Sequence, residues 1–65
     1  MTLRQYIIAY RLKQAKKLLQ LTDKSAAEIS EECGFTDPSY FAKSFKTAFG
    51  MTPKEYRNSF KDELI

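Results

Sequence analysis

Apolar residues recur every three or four positions along this chain, and that spacing confines it to helices. In the first segment they form one continuous stripe: Leu3, Ile7, Ile8, Leu12, Ala15, Leu18 and Leu19. Residues three and four apart share one face of an α-helix, whereas a half-buried strand needs strict alternation. The pattern predicts one helix over residues 3–21. Because its stripe is wide and about five turns long, we expect the short remainder of the chain to leave part of it uncovered.

Capping residues predict where the helices begin. Three segments start with a hydroxyl residue followed three positions later by Glu or Gln, which is the spacing of a capping box: Thr2 and Gln5, Ser25 and Glu28, Thr52 and Glu55. A further helix is capped by Thr36 or Asp37 and has Pro38 in its first turn, where a missing N–H does no harm. These signals predict four helices and no strands.

Glycines predict where two of the helices end. Gly34 and Gly50 follow the last turns of the second and third helices, and glycine adopts left-handed backbone angles there without steric cost. The fourth helix is expected to run from Pro53 to about Phe60, before a fraying tail over residues 62–65.

Composition excludes several classes of protein. Five Phe, four Tyr and many aliphatic residues exclude the disordered class, which has too few apolar groups to fold. One Cys and no His build neither a disulfide framework nor a zinc site, so we expect no cofactor and a reducing, cytoplasmic setting. No apolar run reaches the roughly 20 residues of a membrane span, and no signal-peptide pattern is present. We therefore expect a soluble, unsecreted protein.

The net charge of +3 is sorted by segment. Residues 1–22 and 43–61 are basic, and residues 23–42 between them are acidic. Such an arrangement can present a basic surface to phosphates, although solvated lysines on ordinary helices give the same count.

Residues 25–49 carry the functional signal. Two short helices joined by a glycine turn are the layout of a helix-turn-helix, whose second helix enters the major groove of DNA. Ile29, Cys33 and Phe35 are expected inside, and Phe41, Phe45, Ala48 and Phe49 form the apolar stripe of the third helix. Its other face is polar or cationic and holds no acid: Ser39, Tyr40, Lys43, Lys46 and Thr47. That face suits base reading, and the alternative is that the lysines are merely solvated and Tyr40 is half-buried.

Three further residues have competing interpretations. Cys33 lies on an apolar face without a His or second Cys, so packing is favoured over nucleophilic or redox chemistry. Tyr6 and Tyr10 could stack on the bases of a single strand. Their helical spacing on a long apolar helix instead predicts packing.

The motifs of this chain resemble those of one family. They are A-x-x-L-L at 15–19, A-x-x-I-S-E-E-C-G-F-T-D-P-S-Y-F-A-K-S-F-K at 26–46, and F-G-M-T-P-K-E-Y-R at 49–57. In order and spacing they are similar to the C-terminal DNA-binding domain of AraC/XylS-type bacterial transcription regulators. Nearly the whole chain is covered, and Cys33, where the family more often has Val, departs from the pattern only in packing.

The resemblance implies a domain organisation. That family's domain has two helix-turn-helix units joined by a linker helix, so residues 1–22 would be the linker, 23–50 the second unit, and 51–65 a closing helix and tail. The expected fold class is all-α, a homeodomain-like unit of three or four helices. Residues 1–6 also read like residues 51–56, as if the chain started where a first unit ends. We therefore expect a preceding helix-turn-helix unit, and a sensor or effector domain, in a longer protein.

The resemblance also implies site residues. With residues 37–48 in the major groove, the base-contacting positions would be Ser39, Tyr40 and Lys43, with Pro38 and Ala42 beside them. Lys46 and Thr47 match phosphate-side positions. Ser25 and Lys54, near helix starts that offer unpaired N–H groups, are further phosphate candidates.

Three other functions remain open at this point. The stripe of the helix over residues 3–21 could dock a protein partner, or a basic amphipathic helix could lie on an anionic membrane. Salt-sensitive DNA binding would discriminate against both. An enzyme is disfavoured because there is no His, no glycine-rich phosphate loop and no evident cluster of carboxylates.

Overall fold

The computed structural model describes residues 2–63, with side chains through Ser59. Its four helices are α1 (Leu3–Leu21), α2 (Ala26–Glu32), α3 (Pro38–Phe49) and α4 (Pro53–Glu63), and residues 2–63 contain no strand. The all-α prediction is confirmed. Helix α4 continues past Phe60 to Glu63, so the tail predicted to start at 62 is wrong for those two residues, because no glycine or proline follows Phe60 to end the helix. The rest of that tail, residues 64–65, lies outside the described residues.

All three capping boxes form. The side-chain oxygens of Thr2, Ser25 and Thr52 each accept a hydrogen bond of 3.1 Å from the backbone N–H three residues on. The Gln or Glu at that position reaches back to the capping N–H at 2.9, 3.2 and 2.9 Å, respectively. At the start of α3 the cap is Asp37, not Thr36, because its carboxylate accepts from the Ser39 N–H at 2.9 Å. Each helix therefore begins where a local side chain satisfies its free N–H groups.

The helices end by different means. Gly34 and Gly50 have φ of 89° and 81°, which places both in the left-handed region that glycine tolerates. Helix α1 ends without glycine. The Thr22 hydroxyl donates to the Leu18 carbonyl at 2.6 Å. The guanidinium of Arg57, from α4, donates to the carbonyls of Leu19 at 3.3 Å and Thr22 at 3.0 Å.

One compact core joins α1, α2, the turn after α2, and α3. Its buried apolar residues are Leu12, Ala15, Leu19, Ile29, Phe35, Phe41 and Phe45. A row of aromatic rings runs along α3, with centroid distances of 5.1 Å from Phe35 to Phe41, 5.9 Å from Phe41 to Phe45, and 4.6 Å from Phe45 to Phe49. Tyr56 of α4 closes the row at 5.7 Å from Phe45. These contacts fix which face of α3 points inward.

Helix α1 has apolar residues on two opposite faces. Its core face holds Leu12, Ala15 and Leu19. On the other side are Leu3, Tyr6, Ile7 and Tyr10, which are 76%, 62%, 39% and 57% exposed. The prediction that part of the stripe is uncovered is confirmed. The packing predicted for Tyr6 and Tyr10 is wrong, because a 100° advance per residue places both far around the helix from the core face.

One residue of α3 also departs from its predicted position. Ala48 was expected in the apolar stripe with Phe41 and Phe45, yet it is exposed. It lies three residues beyond Phe45, at the edge of the buried face. A methyl group is small enough to be left in water there at little cost.

Replacing Arg57 with Ala is expected to lower the free energy of unfolding by about 1–3 kcal/mol, because two carbonyls at the end of α1 lose charged donors. Urea denaturation followed by circular dichroism measures the change. Asn58→Ala, at an exposed neighbouring position, is the control and should change the free energy of unfolding by less than about 0.5 kcal/mol. Equal losses of unfolding free energy in the two variants would contradict a stabilising role for the Arg57 hydrogen bonds.

Candidate nucleic-acid interface

Helix α3 separates a buried aromatic face from an exposed polar one. Phe41 and Phe45 are 1% and 0% exposed. The opposite face is fully on the surface and comprises Ser39, Tyr40, Lys43, Lys46 and Thr47. No acidic residue lies on α3 beyond its cap, Asp37. The helix thus presents donors and positive charge, which is what base edges and phosphates accept.

The five residues predicted on the outer face of α3 are brought together there, and the two beside them differ in exposure. Pro38 is exposed in the first turn, and Ala42 is half-buried. The ring of Tyr40, 42% exposed, leans on Phe35 with a centroid distance of 6.2 Å. Tyr40 is therefore supported from below while its outer edge stays accessible.

The cationic groups of this face have different surroundings. Among the described side chains, neither Lys43 nor Lys46 is in an ion pair; the pair present joins Lys24 and Glu32. The hydrogen bonds with Thr52 lower the pKa of the Glu55 carboxyl, and the charge of Lys46 nearby adds to that effect. The charge of Lys46 is therefore partly balanced by a nearby carboxylate.

Thr47 has one of its hydrogen-bonding capacities occupied. Its hydroxyl donates to the Lys43 carbonyl one turn back at 3.0 Å. The hydroxyl oxygen keeps its lone pairs, but its proton is used within the helix. Thr47 is thereby suited to packing or accepting rather than to donating to a phosphate.

The first half of α1 runs alongside this face. A groove of about 440 Å³ lies between the two helices, and Gln5 and Ala9 of α1 face Tyr40, Lys43 and Thr47 of α3 across it. The sequence interpretation did not include α1 in the site. A helical wheel would have placed Gln5 and Ala9 on one flank, but not beside α3.

The two phosphate candidates outside α3 are exposed, and both lie at helix starts that hold a carboxylate. Ser25 caps α2, and the Glu28 carboxylate bonds to its N–H. Lys54 is exposed in the first turn of α4. Its neighbour Glu55 accepts a hydrogen bond from the N–H of Thr52, which precedes the helix. A carboxylate at a helix start opposes an approaching phosphate, so the geometry favours Lys46 over Ser25 and Lys54.

Cys33 packs against the core, as predicted, and is half-buried. Burial raises the pKa of its thiol, and the charge of Glu32 adds to the effect. Both causes favour the protonated thiol over the reactive thiolate. Within the described part of the chain, no group of His, Cys, Asp and Glu side chains is placed to hold a metal ion.

No helix within residues 2–63 is both long enough and apolar enough to cross a bilayer.

Comparison with known proteins identifies the same helix-turn-helix arrangement that the geometry shows. A family model described as "Helix-turn-helix domain" matches residues 1–59. The HTH-type transcriptional activator RhaR of Mannheimia succiniciproducens is 43% identical over 60 residues, which are 92% of this chain and 22% of that protein. The xylose operon regulatory protein of Haemophilus influenzae is 48% identical over 56 residues, or 86% of this chain and 14% of that protein.

A solved structure shares the fold. The C-terminal domain of the two-component response regulator YesN from Fusobacterium nucleatum superposes with a TM-score of 0.85 at 38% sequence identity, covering 88% of this chain and 55% of that one. The chain spans about a fifth or less of the length of the curated relatives named above. With a family model over residues 1–59, the chain belongs to the AraC/XylS-type helix-turn-helix family, whose function is sequence-specific DNA binding in transcription regulation.

Proposed function

We propose that this chain reads duplex DNA by placing α3, within residues 37–48, in the major groove. One observation carries the proposal: a single helix has a continuous buried aromatic face and an exposed face of donors and lysines without an acid. The buried face anchors α3 on the core, and the exposed face offers the hydrogen-bonding and cationic groups that base edges and phosphates accept.

Base reading is assigned to the first two turns of α3. Ser39, Tyr40 and Lys43 lie there on the outer face, with Pro38 and Ala42 beside them. A hydroxyl donates or accepts, and a lysine donates to O6 or N7 of guanine. Further along, Lys46 and Thr47 lie where a docked helix leaves the groove floor and passes the backbone. Lys46, with Ser25 and Lys54 as lesser contributors, would fix the register on phosphates.

The proposal extends to partners. The exposed apolar face of α1, formed by Leu3, Tyr6, Ile7 and Tyr10, would be covered by a preceding helix-turn-helix unit, which makes α1 the linker between two units. A sensor or effector domain would complete a longer cytoplasmic regulator. The chain needs no cofactor for this role, and no catalytic step is assigned to it.

Titration of the chain with fluorescent duplexes at several salt concentrations tests the function. DNA should be enriched from a randomised library, and the enriched duplex should bind better than a scrambled one. The logarithm of the affinity should fall linearly with the logarithm of the salt concentration, because released counterions accompany phosphate contacts. Salt-independent binding, or no binding at low salt, would overturn the proposal and favour a protein-docking module.

Substitutions on α3 should separate base reading from phosphate binding. Lys43→Ala is expected to cost about 1–3 kcal/mol on the enriched duplex and to relax the preference at one base pair. Binding to scrambled DNA should fall less. Lys46→Ala should weaken both duplexes about equally and reduce the salt slope by roughly one phosphate's share.

The same titrations, repeated for the two variants, measure these differences. If Lys43→Ala weakened all sequences uniformly while Lys46→Ala changed the base preference, the placement of α3 in the groove would be wrong. The family assignment would stand in that case.

A further inference from the structure

A single side chain links α1 to the turn of the helix-turn-helix. The guanidinium of Arg11 donates from Nη1 to the Gly34 carbonyl at 3.3 Å, across 23 positions of sequence. It also lies against the backbone of the same residue, since a Cβ built on Gly34 would be 3.1 Å from both Cζ and Nε of Arg11. Hydrogen bond and close packing thus act on one residue of the turn.

That turn determines where α3 begins. Gly34 has φ of 89°, and its N–H donates to the Glu31 carbonyl at 3.1 Å. The next N–H, from Phe35, donates to the Ser30 carbonyl at 2.9 Å, and the Phe35 ring is buried. Two residues after Phe35 the chain reaches Asp37, the cap of α3. Gly34 is therefore separated from the first turn of α3 by only three residues, of which Phe35 is held by a backbone hydrogen bond and by burial.

Arg11 is also placed next to the proposed reading face. The groove that it lines between α1 and the turn includes Gly34, Phe35, Thr36 and Tyr40. Tyr40 leans on Phe35, which directly follows the glycine that Arg11 holds. The chain of contacts from Arg11 to a base-reading candidate thus consists of Gly34, Phe35 and Tyr40.

We propose that Arg11 is a positioning residue for DNA recognition, which sets the orientation of α3 relative to α1 by holding the turn at Gly34. The inference rests on the proposed function. A planar guanidinium suits this role, since it donates in a fixed fork and packs flat on backbone. Arg11 is assigned no contact with DNA.

Discrimination between duplexes tests the proposal. Arg11→Ala should reduce the ratio of the affinities for the enriched and the scrambled duplex by roughly threefold to tenfold, and Arg11→Lys should reduce it less. Lys13→Ala, which removes the same charge two positions along α1 at an exposed site, is the matched control and should leave the ratio unchanged. All variants are compared at a temperature where circular dichroism shows each to be fully folded.

Two glycine substitutions test the contact in the free protein. Gly34→Ala and Gly50→Ala both place a side chain at a left-handed residue, but only the first meets a neighbour, because nothing lies within 4 Å of a Cβ at Gly50. Gly34→Ala should therefore lower the denaturation midpoint more than Gly50→Ala. In an Arg11→Ala background that excess should disappear.

Two results would overturn the proposal. One is an equal loss of affinity for both duplexes in Arg11→Ala together with a smaller salt slope, which would make Arg11 a phosphate contact. The other is a Gly34→Ala variant that still lowers the denaturation midpoint more than Gly50→Ala does in the Arg11→Ala background. Both differ from failure of the proposed function, in which the unsubstituted chain itself shows no preference between the duplexes.

Discussion

A longer form of the protein, with a second helix-turn-helix unit joined at the start of α1, is expected to bind its enriched duplex orders of magnitude more tightly than residues 1–65 alone. One unit neutralises few phosphates and reads one half-site, so on its own it should bind more weakly and discriminate less between duplexes than the two-unit form. A second unit on a rigid helix makes the second contact intramolecular, which is worth roughly 10²- to 10⁴-fold.

Titrating both forms on one duplex at one salt concentration measures the gain. The control is the longer form carrying Tyr6→Glu and Ile7→Glu, which place charges on the exposed face of α1 where we expect the added unit to pack. This control should lose much of the gain, because the two units would no longer be held in a fixed relation. Equal affinities of the long and short forms would contradict the two-unit proposal.

Phe45→Ala is expected to remove a large share of the free energy of unfolding. The side chain is 0% exposed and has three aromatic neighbours, Phe41, Phe49 and Tyr56. Removing such a ring costs about 3–5 kcal/mol, whereas a domain of this length has roughly 3–10 kcal/mol in total. Circular dichroism and urea denaturation measure the loss.

Lys43→Ala is the matched control for Phe45→Ala, because it truncates an exposed side chain on the same helix. It should change the free energy of unfolding by less than about 0.5 kcal/mol. If the two variants unfolded at the same urea concentration, the aromatic row would not be the centre of the core.

The local architecture was predictable because its causes are local. Each helix start depends on a side chain and an N–H within three residues of each other, as at Thr2, Ser25 and Thr52. A capping box is therefore visible in the sequence. The outer face of α3 was predictable for a similar reason, since its buried phenylalanines fix by periodicity which positions remain outside.

What the sequence did not reveal depends on contacts between distant residues. The hydrogen bonds from Arg57 to the carbonyls of Leu19 and Thr22 span 38 and 35 residues of sequence. No spacing rule predicts contacts over such distances. The spacing of apolar residues on α1 likewise does not indicate which of its two opposite apolar faces packs against the core. For Tyr6 and Tyr10 the pattern predicts packing wrongly, because an amphipathic pattern records hydrophobicity but not the partner that covers it.

In α3, the residues that anchor the helix are different from the residues proposed to recognise DNA. Phe41 and Phe45 hold the helix in place from one side, while Ser39, Lys43 and Lys46 contribute little to that anchoring. Exchanging these three residues should alter which DNA is bound with little loss of stability. The fold is therefore a scaffold on which the DNA-contacting residues can be exchanged. A library randomised at these three positions can be searched for new operator preferences while the buried side of α3 stays the same.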